Sequence, residues 1–160
     1  MGAVSSPSFK DQSWDQRFQK MGDQAEGHFE QYATEVLKLG YIRFGLDRPP
    51  LKMSMLPTRL RYTPDYLMSN MFVEVQGCGR DQLFKLKLEK LNCLHYWQNL
   101  HPTHLYLWDS HNKRECMVHL FDLDALINAG KTTLAAFPEG KAYFEIKADD
   151  VFEVAASHAA

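Results

Sequence analysis

A carboxylate stands in the middle of an apolar, strand-like run, Phe72-Val73-Glu74-Val75-Gln76-Gly77. Side chains alternate along a strand, so Glu74 and Gln76 share one face while Val73 and Val75 share the other. An ionised glutamate in so hydrophobic a strand is costly unless something pairs with it. Nine residues earlier, Thr63-Pro64-Asp65 sits where a preceding strand resumes. A hairpin turning at Ser69-Asn70 lets the two acids face one another, and a second carboxylate raises the cost further unless a cation binds between them. An oxygen-preferring divalent ion meets that need. Mg²⁺ typically takes one or two carboxylates and leaves its other positions to water and substrate phosphate, which suits Asp65, Glu74 and the carbonyl of Val75. Such an ion activates a water and stabilises charge on a phosphoryl oxygen.

Around this hairpin the chain reads as an α/β domain. Of its 160 residues, 45% are apolar, 12% aromatic and 24% charged, which suits one globular domain rather than a disordered or fibrous chain. Residues 1–22 are polar and aperiodic and are expected to be a flexible arm around Trp14 and Phe18. Residues 23–154 are expected to form a single domain, and residues 155–160 a frayed tail. From Asp23 to Leu39, Phe29, Ala33, Val36 and Leu37 recur at helical spacing and Gly40 supplies a stop. Arg59 to Tyr62 and Tyr66 to Met68 read as a strand interrupted near Pro64, and Met71 to Gln76 as its hairpin partner. Gln82 to Asn99 carries Phe84, Leu88, Leu91 and His95 on one stripe and predicts a second long helix. Leu105 to Trp108 and Cys116 to Leu120 read as strands, and Asp122 to Asn128 as a short helix ended by Gly130.

The pair Pro64-Asp65, then Glu74-x-Gln76 nine residues on, lies between a helix carrying Glu30 and a long helix. This arrangement resembles the PD-(D/E)XK nuclease superfamily over roughly residues 23 to 108. The resemblance implies a restriction-endonuclease-like αβββαβ core, with a central mixed sheet flanked by helices. It also implies a Mg²⁺- or Mn²⁺-dependent endonuclease that hydrolyses DNA phosphodiester bonds. By that resemblance Asp65 and Glu74 are metal ligands, assisted by Glu30 of the first helix. The family's lysine, two residues after the second acid, is Gln76 here. The resemblance offers two replacements, since some restriction endonucleases use Gln at this place and other members draw a lysine from the following helix. Gln76 or Lys87 is therefore expected to position the attacking water, and Lys85, Lys87 and Arg80 to hold backbone phosphates. Small members that consist of this domain alone include Holliday junction resolvases, often homodimers. Cleavage of branched DNA in recombination or repair, by a homodimer, is the specialisation so implied. Without the motif lysine, the same fold also suits a catalytically inactive DNA-binding or protein-assembly module.

Other motifs fit less well. Ala129-Gly130-Lys131-Thr132-Thr133 resembles the end of a phosphate-binding loop, but a helix precedes it where such a loop requires a strand. His101-x-x-His104 lies across Pro102 with no cysteine nearby, which is against zinc. Cys78, Cys93 and Cys116 are far apart and read as reduced thiols, with Cys93 buried. No run reaches the roughly 18 apolar residues of a membrane span, and Met1 to Lys20 lacks the apolar core of a secretory signal. A cytoplasmic protein with no membrane partner is expected. The formal charge of −2 averages two unlike regions: Arg43 to Lys90 holds nine basic residues and five acids, the remainder nine and fifteen. The basic segment contains the acid pair, so phosphate affinity is expected to be local, metal-linked and modest.

Overall fold

The structure is a computed structural model that describes residues 14–46 and 53–158. In chain order, α1 (Trp14–Gln31) is prolonged by a π-helical turn over Tyr32–Leu37 and leads to β1 (Tyr41–Arg43) and a short α2 (Thr58–Arg61). Three strands follow, β2 (Tyr66–Met68), β3 (Phe72–Cys78) and β4 (Leu83–Lys87), and then α3 (Leu88–Gln98). After β5 (Thr103–Asp109) and β6 (Arg114–His119) come α4 (Leu120–Asn128), β7 (Thr132–Ala136), β8 (Ala142–Lys147) and α5 (Ala148–His158).

Five strands build the central sheet in the order β1-β2-β3-β5-β6. β3 and β5 are parallel, with Phe72 opposite Thr103 and Cys78 opposite Asp109, while the other neighbours are antiparallel. Both members of the parallel pair are buried on their two faces, which is why their sequences are nearly continuous apolar runs. On one face α1 places Ala25, Phe29 and Ala33 against Tyr66, Val73, Tyr106 and Trp108. On the other, Leu91 and Leu94 of α3, Leu120, Leu123 and Leu126 of α4, and Val151 of α5 cover Leu105, Leu107 and Val118. This is the mixed α/β architecture expected, with a mixed sheet flanked by helices. A second sheet, of order β4-β8-β7, adds Phe84, Leu86 and Ile146 to that second core.

Several elements depart from the sequence reading. Residues 59–61 are helical because Pro57, at the N-terminal boundary, supplies the carbonyl that both Leu60 and Arg61 amides bond. β1, unread in the sequence, takes the place beside β2. The predicted helix from Gln82 to Asn99 is a strand followed by a helix. Phe84 and Leu86 point into the core while Lys85 and Lys87 alternate outward, a period of two that pairing with β8 rewards. α1 begins at Trp14, inside the segment expected as an arm; the rest of that segment, 1–13, lies outside the described residues. α5 runs to His158, through most of the expected tail, whose last two residues are likewise outside the described ones. Gly130 has φ +69 and closes α4, so the Gly-Lys-Thr run is a helix end.

Candidate active site

Asp65 immediately precedes β2, and its position follows from the hairpin register. Tyr66 pairs with Val73, so the residue before Tyr66 falls beside Glu74. The loop from β1 fixes it there: the Phe44 and Gly45 amides donate to the Asp65 carbonyl at 2.9 and 3.0 Å. A Cβ at position 45 would stand 3.0 Å from the Asp65 Cα and the Pro64 oxygen, a tight contact that would press on the backbone holding Asp65. The Asp65 side chain turns to β3, where Oδ2 accepts the Val75 N–H at 2.8 Å. Because the N–H and C=O of one strand residue point the same way, the Val75 carbonyl faces the same open edge as Asp65.

Glu74 is 1% exposed. It lies on the sheet face that α3 covers, and Lys90 of α3 reaches down to pair its Nζ with Glu74 Oε1. The second carboxylate oxygen, Oε2, is buried and has no hydrogen-bond partner. Burial and then the Asp65 carboxylate push the Glu74 carboxyl above its ordinary range, against the opposing charges of Lys90 and Arg43. Burial alone would lower Lys90, but Glu74 and Asp65 outweigh it and hold the ammonium protonated. An unsatisfied buried oxygen costs about 1–3 kcal/mol. A glutamate kept only for packing has no reason to bear that cost, since an apolar residue of similar volume would be neutral or better.

Glu30 is not brought to these two acids. Its Oε1 accepts the Tyr66 hydroxyl at 2.9 Å on the α1 side of the sheet. Tyr66 in turn accepts from Arg43 at 3.3 Å, and the Arg43 guanidinium spans Glu26 at 2.7 Å and Asp65 Oδ1 at 4.0 Å. The helix thus meets Asp65 through Arg43 and Glu26 rather than through a shared ligand position. Among the described residues no three Asp, Glu, His or Cys side chains converge as a metal cluster. The oxygens available to a cation are Glu74 Oε2, Asp65 Oδ1 and the Val75 carbonyl. This all-oxygen set of two acids and a carbonyl suits Mg²⁺ or Mn²⁺, which retain waters in the remaining positions.

Asp65 opens on a cavity of about 740 Å³ whose lining also includes Gln76, Arg80, Lys85, Lys87 and Lys90, while Glu74 is buried behind that lining. Gln76 is on the face of Glu74, as strand alternation requires. Lys85 and Lys87 reach the cavity from β4 and not from a helix, so neither of them is the lysine that pairs with Glu74. Lys85 is engaged by Asp81 at 3.3 Å. The lysine at the acids is Lys90, three residues beyond Lys87. The available signal was the alternation Phe84-Lys85-Leu86-Lys87, which moves the start of the helix to Leu88 and sets Lys90 in its first turn.

No protein-family model matches the chain, and no curated protein matches it. Among solved structures, a nuclease from a fusselovirus aligns over 93% of this chain and 89% of its own, at 6% identity and a TM-score of 0.48. A likeness at that level leaves function to be derived from the site. Among the described residues no helix is long and apolar enough to cross a membrane.

Proposed function

We propose that this chain is a metal-dependent nuclease of the PD-(D/E)XK type that hydrolyses DNA phosphodiester bonds. The observation that carries the proposal is the buried Glu74 carboxylate, with one oxygen paired to Lys90 and the other left unpartnered, behind Asp65 and Lys90, which line a cationic cavity. Apart from the short α2 and the β4 strand of the second sheet, the element order agrees with it: a helix, three antiparallel strands with Asp65 just before the second and Glu74 on the third, a helix, and a strand parallel to the third. Asp65, Glu74 and the Val75 carbonyl would hold Mg²⁺ or Mn²⁺. When bound, the ion lowers the pKa of a water and offsets charge on the phosphoryl oxygens.

The remaining work falls to the protein's own groups. Lys90 stands where the motif lysine is absent, and its ammonium, kept charged by the two acids, can donate to a water or to a phosphate oxygen entering the cavity. Its Nζ is fixed from below by Glu74 and its side chain is 24% exposed, so it faces the cavity without being free in solvent. Arg43 and Glu26 hold the far side of Asp65 and keep its Oδ1 from turning away. Gln76 and Lys87 contribute polar lining and phosphate attraction rather than the central charge.

Nicking of supercoiled plasmid and of a four-way junction with Mn²⁺, by wild type and by Asp65→Ala, Glu74→Ala and Lys90→Ala, tests this reading. Cleavage by wild type alone is expected. If wild type cuts no more than the three variants, the chain is not a nuclease, and retained DNA binding would make it an inactive nuclease-fold module.

A further inference from the structure

Another wall of the cavity belongs to the second sheet, of which the proposed chemistry uses only Lys87. Register places its face residues. In β4, Lys85 and Lys87 point to the cavity; Lys87 lies opposite Tyr143 of β8, which lies opposite Ala135 of β7. Two residues further along the β7–β8 hairpin, Phe137 and Lys141 stand across from one another, with the Phe137 amide donating to the Lys141 carbonyl at 2.9 Å. The Gly140 amide closes the turn onto the Phe137 carbonyl at 2.8 Å, and φ +84 at Gly140 makes so tight a turn possible. Phe137 therefore sits on a tight turn, packed against Tyr143 with ring centroids 4.1 Å apart and planes tilted by 32°, and with the Lys87 ammonium 5.6 Å from its ring centroid. Phe137, Lys87 and Lys141 all line the cavity.

The charges on this wall are poorly balanced. Lys90 is paired by Glu74 and Lys85 by Asp81. Lys87 and Lys141 have no acid within ion-pair distance among the described residues. Burial, then the proximity of Lys141 and Lys90, lower the Lys87 ammonium from its ordinary value, against the weaker pull of Glu139 and Glu89. An anion in the cavity relieves that repulsion. A volume of about 740 Å³ is that of a pocket for one medium-sized molecule. That is room for one backbone with a base or two, which favours a single strand over a paired one.

We infer that the β4-β8-β7 sheet is a guide for a single DNA strand, with Lys87 and Lys141 holding phosphates and Phe137 stacking a base. Resting on the nuclease reading, it deepens that reading by naming the substrate: DNA with an unpaired segment at the cut, such as a branch, flap or frayed end, rather than continuous duplex. Two lysines at successive phosphates and one aromatic face are the usual parts of a single-strand site, and they tolerate any sequence because every base has a stacking face.

The test is binding of a fluorescent single-stranded 15-mer, of the same sequence as duplex, and of a duplex with an unpaired tail, all in EDTA so that nothing is cut. Lys87→Ala/Lys141→Ala is expected to weaken the single strand and the tailed duplex by about tenfold. It should also reduce the slope of log K against log salt by about 1.4, or roughly 0.7 for each phosphate no longer neutralised. Blunt duplex binding should change by less than about twofold. Phe137→Ala should weaken the single strand, and Phe137→Trp should retain binding with fluorescence quenched by a stacked base, which also reports that the hairpin is folded. Equal losses on duplex and single strand, an unchanged salt slope, or displacement of the 15-mer by a mononucleotide at equal phosphate concentration would each overturn the guide. Selective single-strand loss in a protein that never cleaves with Mn²⁺ supports the guide while removing the nuclease reading. Cleavage with no such selectivity does the reverse.

Discussion

Two carboxylates are buried on neighbouring parallel strands, Glu74 in the middle of β3 and Asp109 at the end of β5, and the fold treats them in opposite ways. Asp109 is 0% exposed and receives donors from Gln82 Nε2, the His111 and Asn112 amides, Asn112 Nδ2 and Arg114 Nε, at 2.8 to 3.1 Å. Burial alone would raise its carboxyl, but the bonds from Gln82, Arg114 and Asn112 overcome that and hold it well below the usual carboxylate range. Glu74 has one lysine and a bare oxygen, and its carboxyl is raised. The same scaffold can surround a buried acid with donors when the acid is there to hold a turn. That Glu74 lacks them is therefore a property of the position, and it separates an acid surrounded by donors from one with an oxygen left unpartnered.

The sharpest way to break this contrast is to neutralise each acid in turn. Glu74→Gln is expected to reduce Mn²⁺-dependent cleavage at least about 100-fold. It should change unfolding free energy by no more than about 1 kcal/mol, because Lys90 faces the cavity and can turn to water while the burial cost of the carboxylate disappears. Asp109→Asn should do the opposite. Its amide would confront several donors with a donor of its own, at a cost of about 3 kcal/mol. For a chain of this size that cost lowers Tm by about 6–12 °C. Cleavage per folded molecule should stay at the wild-type level. Urea titration beside plasmid nicking reads both quantities, and a stable, active Asp109→Asn with an unfolded Glu74→Gln would reverse the assignment.

What the sequence made legible follows the same division. Glu74 stood out because an acid within an apolar strand is a local conflict, and local conflicts need no knowledge of distant partners; Asp65 followed from the hairpin turn that sets it beside Glu74. The α/β class was readable from periodicity. The partners of these acids were not. Lys90 is set by where α3 begins, and that depends on β4 being claimed by β8, about sixty residues further on. Residues 83–87 satisfy a strand period and, with Leu88 and Leu91, a helical stripe, so sequence alone leaves the choice to tertiary pairing. Glu30 was assigned by analogy to the α1 position, while the packing of Phe29 between Tyr66 and Tyr106 turns it toward the Tyr66 hydroxyl. The Asp109 network joins Gln82, a turn and Arg114 across 32 residues, and no spacing rule announces it.

Acid titration sharpens the contrast from the other side. The folded Asp109 carboxyl lies below the unfolded value of about 3.9, so the stability it supplies is complete above that pH and is lost as pH falls through it toward the folded value. Unfolding free energy in wild type should thus fall steeply below about pH 4. In Asp109→Asn that part of the slope should be missing, although the variant is weaker at neutral pH. Chemical denaturation at a series of pH values between 2.5 and 7, roughly spanning both carboxyl ranges, would show parallel curves for the two proteins if Asp109 were not the titrating group.

The smallest expected effect addresses whether the charge at Glu74 must come from the helix. Lys90→Ala should lower cleavage about 100-fold, because among the described residues no other cation is within ion-pair distance of Glu74: Lys87 approaches the cavity from another sheet and Gln76 is neutral. Gln76 occupies the place of the missing motif lysine, on the same strand face as Glu74 and lining the same cavity. Combining Gln76→Lys with Lys90→Ala returns an ammonium to that cavity from the strand in place of the helix. Recovery of about tenfold over Lys90→Ala alone is expected, short of wild type because a lysine on β3 lacks the anchoring that Lys90 has from α3. Gln76→Ala in the wild-type background should cost only a few-fold. If Gln76→Ala instead proves as damaging as Lys90→Ala, the amide acts directly on the reacting groups, and Lys90 is reduced to neutralising a buried acid as Arg114 does for Asp109.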